Sequence, residues 1–292
     1  MMFEGITEFV AVAETSGFSS AAKKLGVSTS FVSRQISALE KRLGVQLFAR
    51  TTRKIRLTPA GEDFYLRCRN ITDELQDAQQ QLTGDSQSIE GRLRISLAGH
   101  FAEYYLAPMI VDFVKQHPKL FVDLDFNSRN INLVDEGFDF ASRYGHLTDS
   151  SLVARKLTER KLIAAASKCY LQKFGEPIHP NELKRHQCLV ANLEHWRFIE
   201  AEKEFQVKVS PAWKSNNNNA ILAACKAGLG IAYIPETSYQ DSLQTSELVP
   251  VLEPFWLPSI PSWIVYPSRR FLPTRARKLI EYLVANISNQ AW

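Results

Sequence analysis

One short stretch of the chain gathers the side chains best suited to recognising another molecule. In "GVSTSFVSRQISALEKRLG", residues 26–44, hydroxyl groups and a guanidinium follow a glycine turn. Such groups donate hydrogen bonds to base edges and phosphates of DNA. On a helix they would lie opposite an apolar stripe spaced by four, three and four residues: Val32, Ile36, Leu39 and Leu43. The pattern predicts a helix that buries this stripe and presents the polar set: Ser28, Thr29, Ser30, Ser33 and Arg34.

Two shorter helices are predicted upstream to support that surface. Ile6, Phe9, Val10 and Ala13 fall on one face of a helix that ends near "TSG" at residues 15–17. A second helix covers about residues 19–25, and Gly26 suits its C-cap, whereas Ser28 suits the N-cap of the third. Two short helices joined by a tight turn form a helix-turn-helix, whose second helix enters the major groove of DNA. The alternative is an ordinary helical hairpin with a solvated polar face.

The charge distribution favours the DNA-binding interpretation. Residues 1–58 carry nine Lys and Arg against four acids, whereas the whole chain of 292 residues has a net charge of only +4. Residues 41–58 hold six cations and no acid. Within them, "VQLFARTTRKIRLT" predicts two short strands with a basic tip, where Arg50, Thr51 and Arg53 would contact phosphates or the minor groove.

A long helix is predicted from Pro59, with Thr58 as its cap. One apolar seam with spacings of 4-3-4-3-4 runs along this otherwise polar segment: Phe64, Cys68, Ile71, Leu75, Ala78 and Leu82. A narrow apolar seam on a polar helix needs a second helix to cover it. We expect a second copy of the chain, with cover by the same chain as the alternative. The small, polar segment at residues 83–91 predicts a hinge.

Beyond the hinge, segments typical of strands alternate with segments typical of helices. Examples are "RLRISLAG", "YYLAPMIVDFVKQHP", "FVDLDFNS" and "DFASRYG", and the last is the amphipathic "LPTRARKLIEYLVANI". This alternation predicts α/β architecture with parallel sheets covered by helices on both faces. About 200 residues of this kind favour two lobes over one.

The N-terminal motifs resemble a known family. The order and spacing of "AAKKLGVS", "VSRQISALEKRLG", "LFARTTR" and "LTPAG" resemble the winged helix-turn-helix of LysR-type transcriptional regulators. The likeness continues more loosely in "LVDEGFDFASRYG" and "AGLGIAYIP". It implies a two-lobed effector domain resembling periplasmic binding proteins, a long linker helix and assembly as a dimer or tetramer on promoter DNA. The implied boundaries are 1–58 for the winged helix-turn-helix, 59–86 for the linker, 87–91 for the hinge and 92–292 for the effector domain, with lobe I at 92–161 and 268–292 and lobe II at 162–267.

A small-molecule effector is expected in the cleft between these lobes. In open α/β folds, ligands bind beyond the carboxyl ends of strands, where helix N-termini offer free N–H groups. The candidate residues at such positions are Gly99, His100, Phe101, Asn127, Ser128, Arg129, Arg143, Asn192 and Asn216. For each, capping or solvation is the alternative role. Arg129 and Arg143 would favour an organic anion.

Other function classes are less well supported by the sequence. The chain contains no P-loop, no G-x-S-x-G and no H-E-x-x-H, so we expect neither an enzyme nor a bound cofactor or metal. No segment suggests a secretory signal or a membrane span, which argues against an exported solute-binding protein and favours the cytoplasm. The cysteines Cys68, Cys169, Cys188 and Cys225 lie far apart and indicate reduced thiols, with a thiol-based redox sensor of the same fold as the alternative.

Overall fold

The computed structural model describes residues 3–50, 55–83, 89–127, 129, 131–145, 147, 152–191, 194–267 and 272–288. The chain divides into two compact units. The first comprises Met1–Ile89, Ile131–Gly137 and Arg270–Thr274, and the second comprises Glu90–Asn130, Phe138–Arg269 and Arg275–Trp292.

Three short helices open the first unit. They are α1 (Ile6–Thr15), α2 (Phe18–Leu25) and α3 (Thr29–Leu43). Gly26 and Gly44 end α2 and α3 with φ of 67° and 69°, a left-handed conformation that glycine adopts without strain. Ser28 caps α3, because its hydroxyl accepts a hydrogen bond from the Phe31 N–H at 3.2 Å. The predicted helix-turn-helix is confirmed.

The core of this unit is formed where the three helices meet the strands that follow. Val32, Ile36 and Leu39 of α3 are buried together with Phe9 of α1. Small side chains, Ala21 and Ala22, let α2 approach closely. The prediction for Leu43 is wrong: 42% of this residue is exposed, because it lies in the last turn of α3, beyond the packed part of the stripe.

Two strands and the long helix complete the first unit. Strands β1 (Phe48–Arg50) and β2 (Ile55–Leu57) pair antiparallel, as expected for a wing. Helix α4 (Pro59–Thr83) begins at the predicted cap, where the Thr58 hydroxyl accepts from the Gly61 N–H at 3.0 Å. Gly61 is buried against the backbone of Leu47, where a Cβ would stand 2.1 Å from the carbonyl oxygen. This glycine therefore allows α4 to dock on the core.

The first two residues of the predicted dimer seam have a different role. Cys68 is 2% exposed within the core of the first unit, and Phe64 packs against the same core with its ring centroid 5.4 Å from that of Phe9. Both side chains therefore serve the fold of their own chain. Further along α4, Ile71 and Leu75 are 49% and 58% exposed.

The second unit contains two five-stranded sheets. The first has the order β4-β3-β5-β14-β6 and is built from β3 (Gly91–Leu97), β4 (Leu120–Phe126), β5 (Phe140–Tyr144), β6 (Val153–Arg160) and β14 (Ile260–Tyr266). Its helices are the short α5 (Gly99–Phe101), a π-helix at Ala102–Leu106, α6 (Ala107–Gln116) and the C-terminal α9 (Thr274–Ser288).

The second sheet has the order β11-β8-β12-β7-β13. Its strands are β7 (Leu162–Ser167), β8 (Cys188–Val190), β11 (Pro211–Lys214), β12 (Ile231–Pro235) and β13 (Leu248–Val251). Helices α7 (Lys168–Phe174) and α8 (Asn218–Lys226) belong to this part. A separate antiparallel hairpin, β9 (His195–Glu200) with β10 (Lys203–Lys208), packs Phe198 and Val207 into its core.

Two details of the predicted α/β region need correction. The sheets are mixed rather than parallel, because β14 runs antiparallel to β5 and β6, and β7 runs antiparallel to β12 and β13. The predicted second lobe, 162–267, is also too long. Strand β14 belongs to the first sheet, so the chain returns to that sheet before Ile260 and not at residue 268.

Candidate DNA-reading helix and effector site

The N-terminal half of α3 presents the predicted polar set at the surface of the first unit. Thr29, Ser30 and Arg34 are exposed, and Ser33 is half-buried. The Ser28 hydroxyl caps the helix and lies 3.0 Å from the Ser30 hydroxyl, so it positions the helix start. Within the described chain, the Arg34 guanidinium has neither an ion pair nor a hydrogen bond. The face can therefore offer Arg34 to a base edge or a phosphate.

A buried carboxylate fixes α3 to the start of the wing. Glu40 is 8% exposed, and its Oε1 accepts hydrogen bonds from the N–H groups of Leu47 and Phe48 at 2.8 and 3.1 Å. Because these two residues lead into β1, the contact sets where the wing begins. In the sequence, Glu40 was counted only as one of the four acids of residues 1–58, and no local pattern marks it for this role.

The structure describes only part of the predicted wing. Arg50 closes β1, but its side chain lies outside the description, and Thr51 and Arg53 lie wholly outside the described residues. Arg56 on β2 is exposed.

In the second unit, three predicted effector residues lie together at the end of β3. Gly99, with φ of 75°, starts α5, and a Cβ there would lie 3.7 Å from the Tyr144 ring. His100 is 3% exposed and stacks on Tyr104 with ring centroids 4.1 Å apart. Its Nδ1 is buried and has no hydrogen-bond partner among the described residues. Burial lowers the pKa of His100, a hydrogen bond with the Thr237 backbone acts in the opposite direction, and the Arg160 charge lowers it.

An arginine that sequence reasoning missed lies beside this group. Arg160, at the end of β6, is 8% exposed. Its guanidinium carbon lies 5.3 Å from the ring centroid of Phe101 and 5.1 Å from that of Tyr144. Burial lowers the pKa of Arg160 to about 10, and Tyr144 acts in the opposite direction, so the side chain remains charged at neutral pH.

Further buried polar atoms without a hydrogen-bond partner occur in the same unit. They include Thr237 Oγ1, Ser262 Oγ and Asn127 Oδ1. Ser262 pairs with Tyr144 across β14 and β5, and directly paired residues in an antiparallel ladder share a face of the sheet. Strand pairing brings Tyr144 and Ser262 together although they lie more than a hundred residues apart in sequence.

The other predicted effector residues have mixed outcomes. Asn127 donates to Asp125 at 2.5 Å, and Arg143 donates to the Ser142 carbonyl at 2.7 Å. Arg129 is exposed. Ser128 and Asn192 lie outside the described residues. Asn216 is exposed and precedes α8, whose cap is Asn217; the Asn217 Oδ1 accepts from the N–H groups of Asn219 and Ala220 at 2.8 and 3.2 Å.

Two asparagines of the same run contact other elements of the second unit. Asn219 Nδ2 donates to the Tyr104 hydroxyl at 3.3 Å, and Asn218 Nδ2 donates to the Ser238 hydroxyl at 3.0 Å. Helix α5 also contacts α8 and the 3-10 helix at Glu236–Ser242. The start of α8 is thus connected with the segment that carries His100.

The outer residues of the predicted dimer seam are only partly described. The side chains of Ala78 and Leu82 lie outside the description, whereas Ile71 and Leu75 are exposed on α4.

All four cysteines are free thiols. Burial raises the pKa of Cys188 and Cys225 to about 12 and that of Cys68 to about 11, which keeps these thiols protonated and poor nucleophiles. Cys169 is exposed.

The described ranges show neither a group of metal-binding side chains nor a membrane-spanning helix. No three His, Cys, Asp or Glu side chains there are grouped so that they could hold a metal ion. No helix in that part of the chain has the length and apolar character needed to cross a bilayer.

Two family models match the chain and together cover nearly all of it. Residues 4–62 match the bacterial regulatory helix-turn-helix protein of the lysR family, and residues 86–288 match the LysR substrate binding domain. An uncharacterised HTH-type transcriptional regulator of Haemophilus influenzae is 35% identical, over 92% of this chain and 95% of its own.

Solved structures agree in sequence and in fold. CrgA of Neisseria meningitidis, a LysR-type transcriptional regulator, is 31% identical, with a TM-score of 0.61 over 98% of both chains. AphB, a virulence activator of Vibrio cholerae, is 28% identical, with a TM-score of 0.60 over 96% of this chain and 98% of its own. These relatives are DNA-binding regulators, and they do not favour the redox alternative.

Proposed function

Because the chain belongs to the family of LysR-type transcriptional regulators, we propose that its α3 reads promoter DNA while its second unit binds the small molecule that controls this reading. The observation that carries the proposal is that Arg34 is exposed and has no partner among the described residues, on the face of α3 opposite the buried Val32 and Ile36. Packing on one face holds the other face outward, as a recognition helix requires. No catalytic step is part of this function.

The proposed DNA contacts divide into two kinds. Thr29, Ser30, Ser33 and Arg34 enter the major groove and discriminate between base pairs, and Ser28 positions the helix start. The wing residues Arg50, Thr51 and Arg53 contact phosphates, which add affinity without sequence preference. Net positive charge in residues 1–58 supports both.

Self-association is proposed through the outer part of α4. Ile71 and Leu75 are large apolar side chains that this chain leaves exposed, and Ala78 and Leu82 continue the same spacing. A second α4 packed along this seam gives a dimer with two recognition helices, which matches the two half-sites of an operator. The dimer or a tetramer built from it acts in the cytoplasm, where the promoter lies.

Selective binding to the DNA upstream of the chain's own gene tests the proposal. Fluorescence anisotropy compares that fragment with a scrambled fragment of equal length and composition, for the wild-type chain at 50 and 200 mM salt. We expect at least ~1000-fold tighter binding to the upstream fragment at one salt concentration, and a fall in both affinities as salt rises. Equal affinities for the two fragments, or binding indifferent to salt, would refute the proposed role of α3.

A further inference from the structure

We propose that Arg160, packed against the rings of Phe101 and Tyr144, binds the carboxylate of a small organic effector. This inference rests on the proposed function, since it assigns a chemical class to the effector of the second unit. It also moves the anion site away from Arg129 and Arg143, the two arginines that the sequence suggested.

The partners of Arg160 are unusual for a buried cation. A guanidinium carries five N–H donors, and buried charges in proteins are normally paired or hydrogen-bonded. Within the described part of the chain, Arg160 forms neither an ion pair nor a hydrogen bond, and its Nε is buried without a partner. Its contacts are the two aromatic rings, which attract a cation but accept no conventional hydrogen bond in the guanidinium plane.

The neighbouring carboxylate on the same strand does not serve as the counterion. Glu159 is exposed, and successive residues of a strand point to opposite faces. Its carboxylate instead lies 2.5 Å from Lys156 Nζ and 2.6 Å from the Ser259 hydroxyl. The donors of Arg160 are thus left for an oxyanion from outside the chain, and a carboxylate matches the planar guanidinium with two parallel hydrogen bonds.

An additional donor lies on the same face of the sheet. Arg160 pairs with Ile260 and Tyr144 pairs with Ser262, two residues further along β14, so Arg160, Tyr144 and Ser262 share one face. The Ser262 hydroxyl is buried, has no hydrogen-bond partner among the described residues and can donate to a carboxylate oxygen. A small carboxylate at this position would accept hydrogen bonds from both the Arg160 guanidinium and the Ser262 hydroxyl.

The surroundings also favour a ligand with an apolar part. The Phe101 ring is buried, whereas Tyr144, which also packs against the guanidinium, is 38% exposed. The segment that follows Phe101 is a π-helix, a distortion frequently found at functional sites. A carboxylate attached to a short apolar or aromatic group would place its charge on Arg160 and its body against these rings.

The test uses the full-length chain and pairs each acid with its uncharged amide. Thermal unfolding is followed with acetate, lactate, succinate, benzoate and salicylate, with the five matching amides, and with sulfate and phosphate, at constant ionic strength. We expect at least one carboxylate to raise the midpoint by about 5 °C or more at ~100 times its Kd, while its amide does not. If no carboxylate exceeds its amide, or if sulfate or phosphate stabilises the chain equally well, the inference is wrong.

Two variants make the assignment specific to Arg160. Arg160→Met keeps a long apolar side chain, and replacing a buried charge in this way is often neutral or stabilising. We expect an unchanged or higher midpoint without ligand and loss of the carboxylate shift. Arg197→Met, at an arginine that pairs with Glu204 on the β9–β10 hairpin, should keep the shift. A lower midpoint for Arg160→Met without ligand would show a structural role and overturn the inference, as would a retained shift.

DNA binding separates this inference from the proposed function. If the wild-type chain binds its upstream DNA selectively but responds to no carboxylate, only the inference fails. If it responds to a carboxylate through Arg160 but does not distinguish the two DNA fragments, the DNA-reading role fails and the carboxylate site stands.

Discussion

The polar groups that we assign to ligands are exposed in the first unit of the chain and buried in the second. In the first unit, Arg34 and its neighbouring hydroxyls lie at the surface of α3, above a well-packed core. In the second, Arg160, His100 and Ser262 hold polar atoms that are buried and lack partners. A long polymer can be recognised from an open surface, whereas a small molecule must be enclosed to gain enough contact. The exposure of the assigned groups therefore matches the kind of ligand that each unit is proposed to bind.

The largest expected effect concerns the exposed apolar residues of α4. Replacing both Ile71 and Leu75 by Glu should weaken self-association by at least ~100-fold, because each side chain contributes about 1.5–3 kcal/mol when buried in a dimer. Sedimentation velocity would show a shift toward monomer, and the affinity for upstream DNA should fall with it. The control is Arg67→Glu, at an exposed position on the same helix. An unchanged dimer in the double variant would exclude this seam.

The next largest effect is a loss of stability in the first unit alone, caused by substitution of Gly61. Gly61→Ala places a Cβ 2.1 Å from the Leu47 carbonyl oxygen, so the start of α4 must move. We expect the first unit to lose about 1–3 kcal/mol of stability and the chain to lose DNA affinity. All five tryptophans lie at residues 196–292, so their fluorescence reports on the second unit. That unfolding transition should stay unchanged; a change in it would mean that the two units do not respond separately.

Removing one helix cap in each unit should give two smaller and directly comparable losses of stability. Ser28→Ala removes the cap of α3, and Asn217→Ala removes the cap of α8. Each should reduce stability by about 1 kcal/mol in its own unit. Ser28→Ala should weaken DNA binding and leave the carboxylate shift intact, and Asn217→Ala should do the reverse. Equal effects of the two variants on DNA affinity would contradict the division of roles.

The smallest effect is a pH dependence restricted to the second unit. All six histidines lie beyond residue 99, and burial lowers the pKa of His100 and His186. A histidine with a lowered pKa in the folded state favours folding above its unfolded pKa, and this contribution is lost as the pH falls through the folded value. Tryptophan-detected stability should therefore fall below about pH 6.5, and less steeply in His100→Gln. An equal pH slope for wild type and variant would contradict this role of His100.

The sequence predicted the first unit in more detail than the second, because the two units depend on different kinds of contact. In the first unit, caps, turns and apolar stripes are local, so α3 and its exposed face could be predicted residue by residue. The prediction that Leu43 is buried was wrong because the spacing of an apolar stripe does not show where the core ends. The prediction that Cys68 lies in a dimer seam was wrong because the apolar stripe of α4 packs into the core of its own chain near the start of the helix. The stripe becomes exposed only further along, at Ile71 and Leu75.

In the second unit, the site depends on contacts that no local pattern reports. "VARKLTER" alternates as an ordinary strand, and nothing in it distinguishes the buried Arg160 from the exposed Glu159 next to it except strand parity. The pairing of β6 with β14, and of β14 with β5, decides which arginine meets Phe101 and Tyr144. The position of Gly99, His100 and Phe101 at the end of β3 could be predicted because a recognisable strand precedes them.

The most direct test of the central claim is the ratio of affinities for upstream and scrambled DNA in two single variants. Arg34→Ala should weaken binding to the upstream fragment by about 1–3 kcal/mol and change binding to the scrambled fragment little, so the ratio falls. Arg56→Ala, at the exposed cation on β2, should weaken both by similar factors, so the ratio stays the same. An unchanged ratio in Arg34→Ala would contradict the account, because the exposed face of α3 would then not read the DNA sequence.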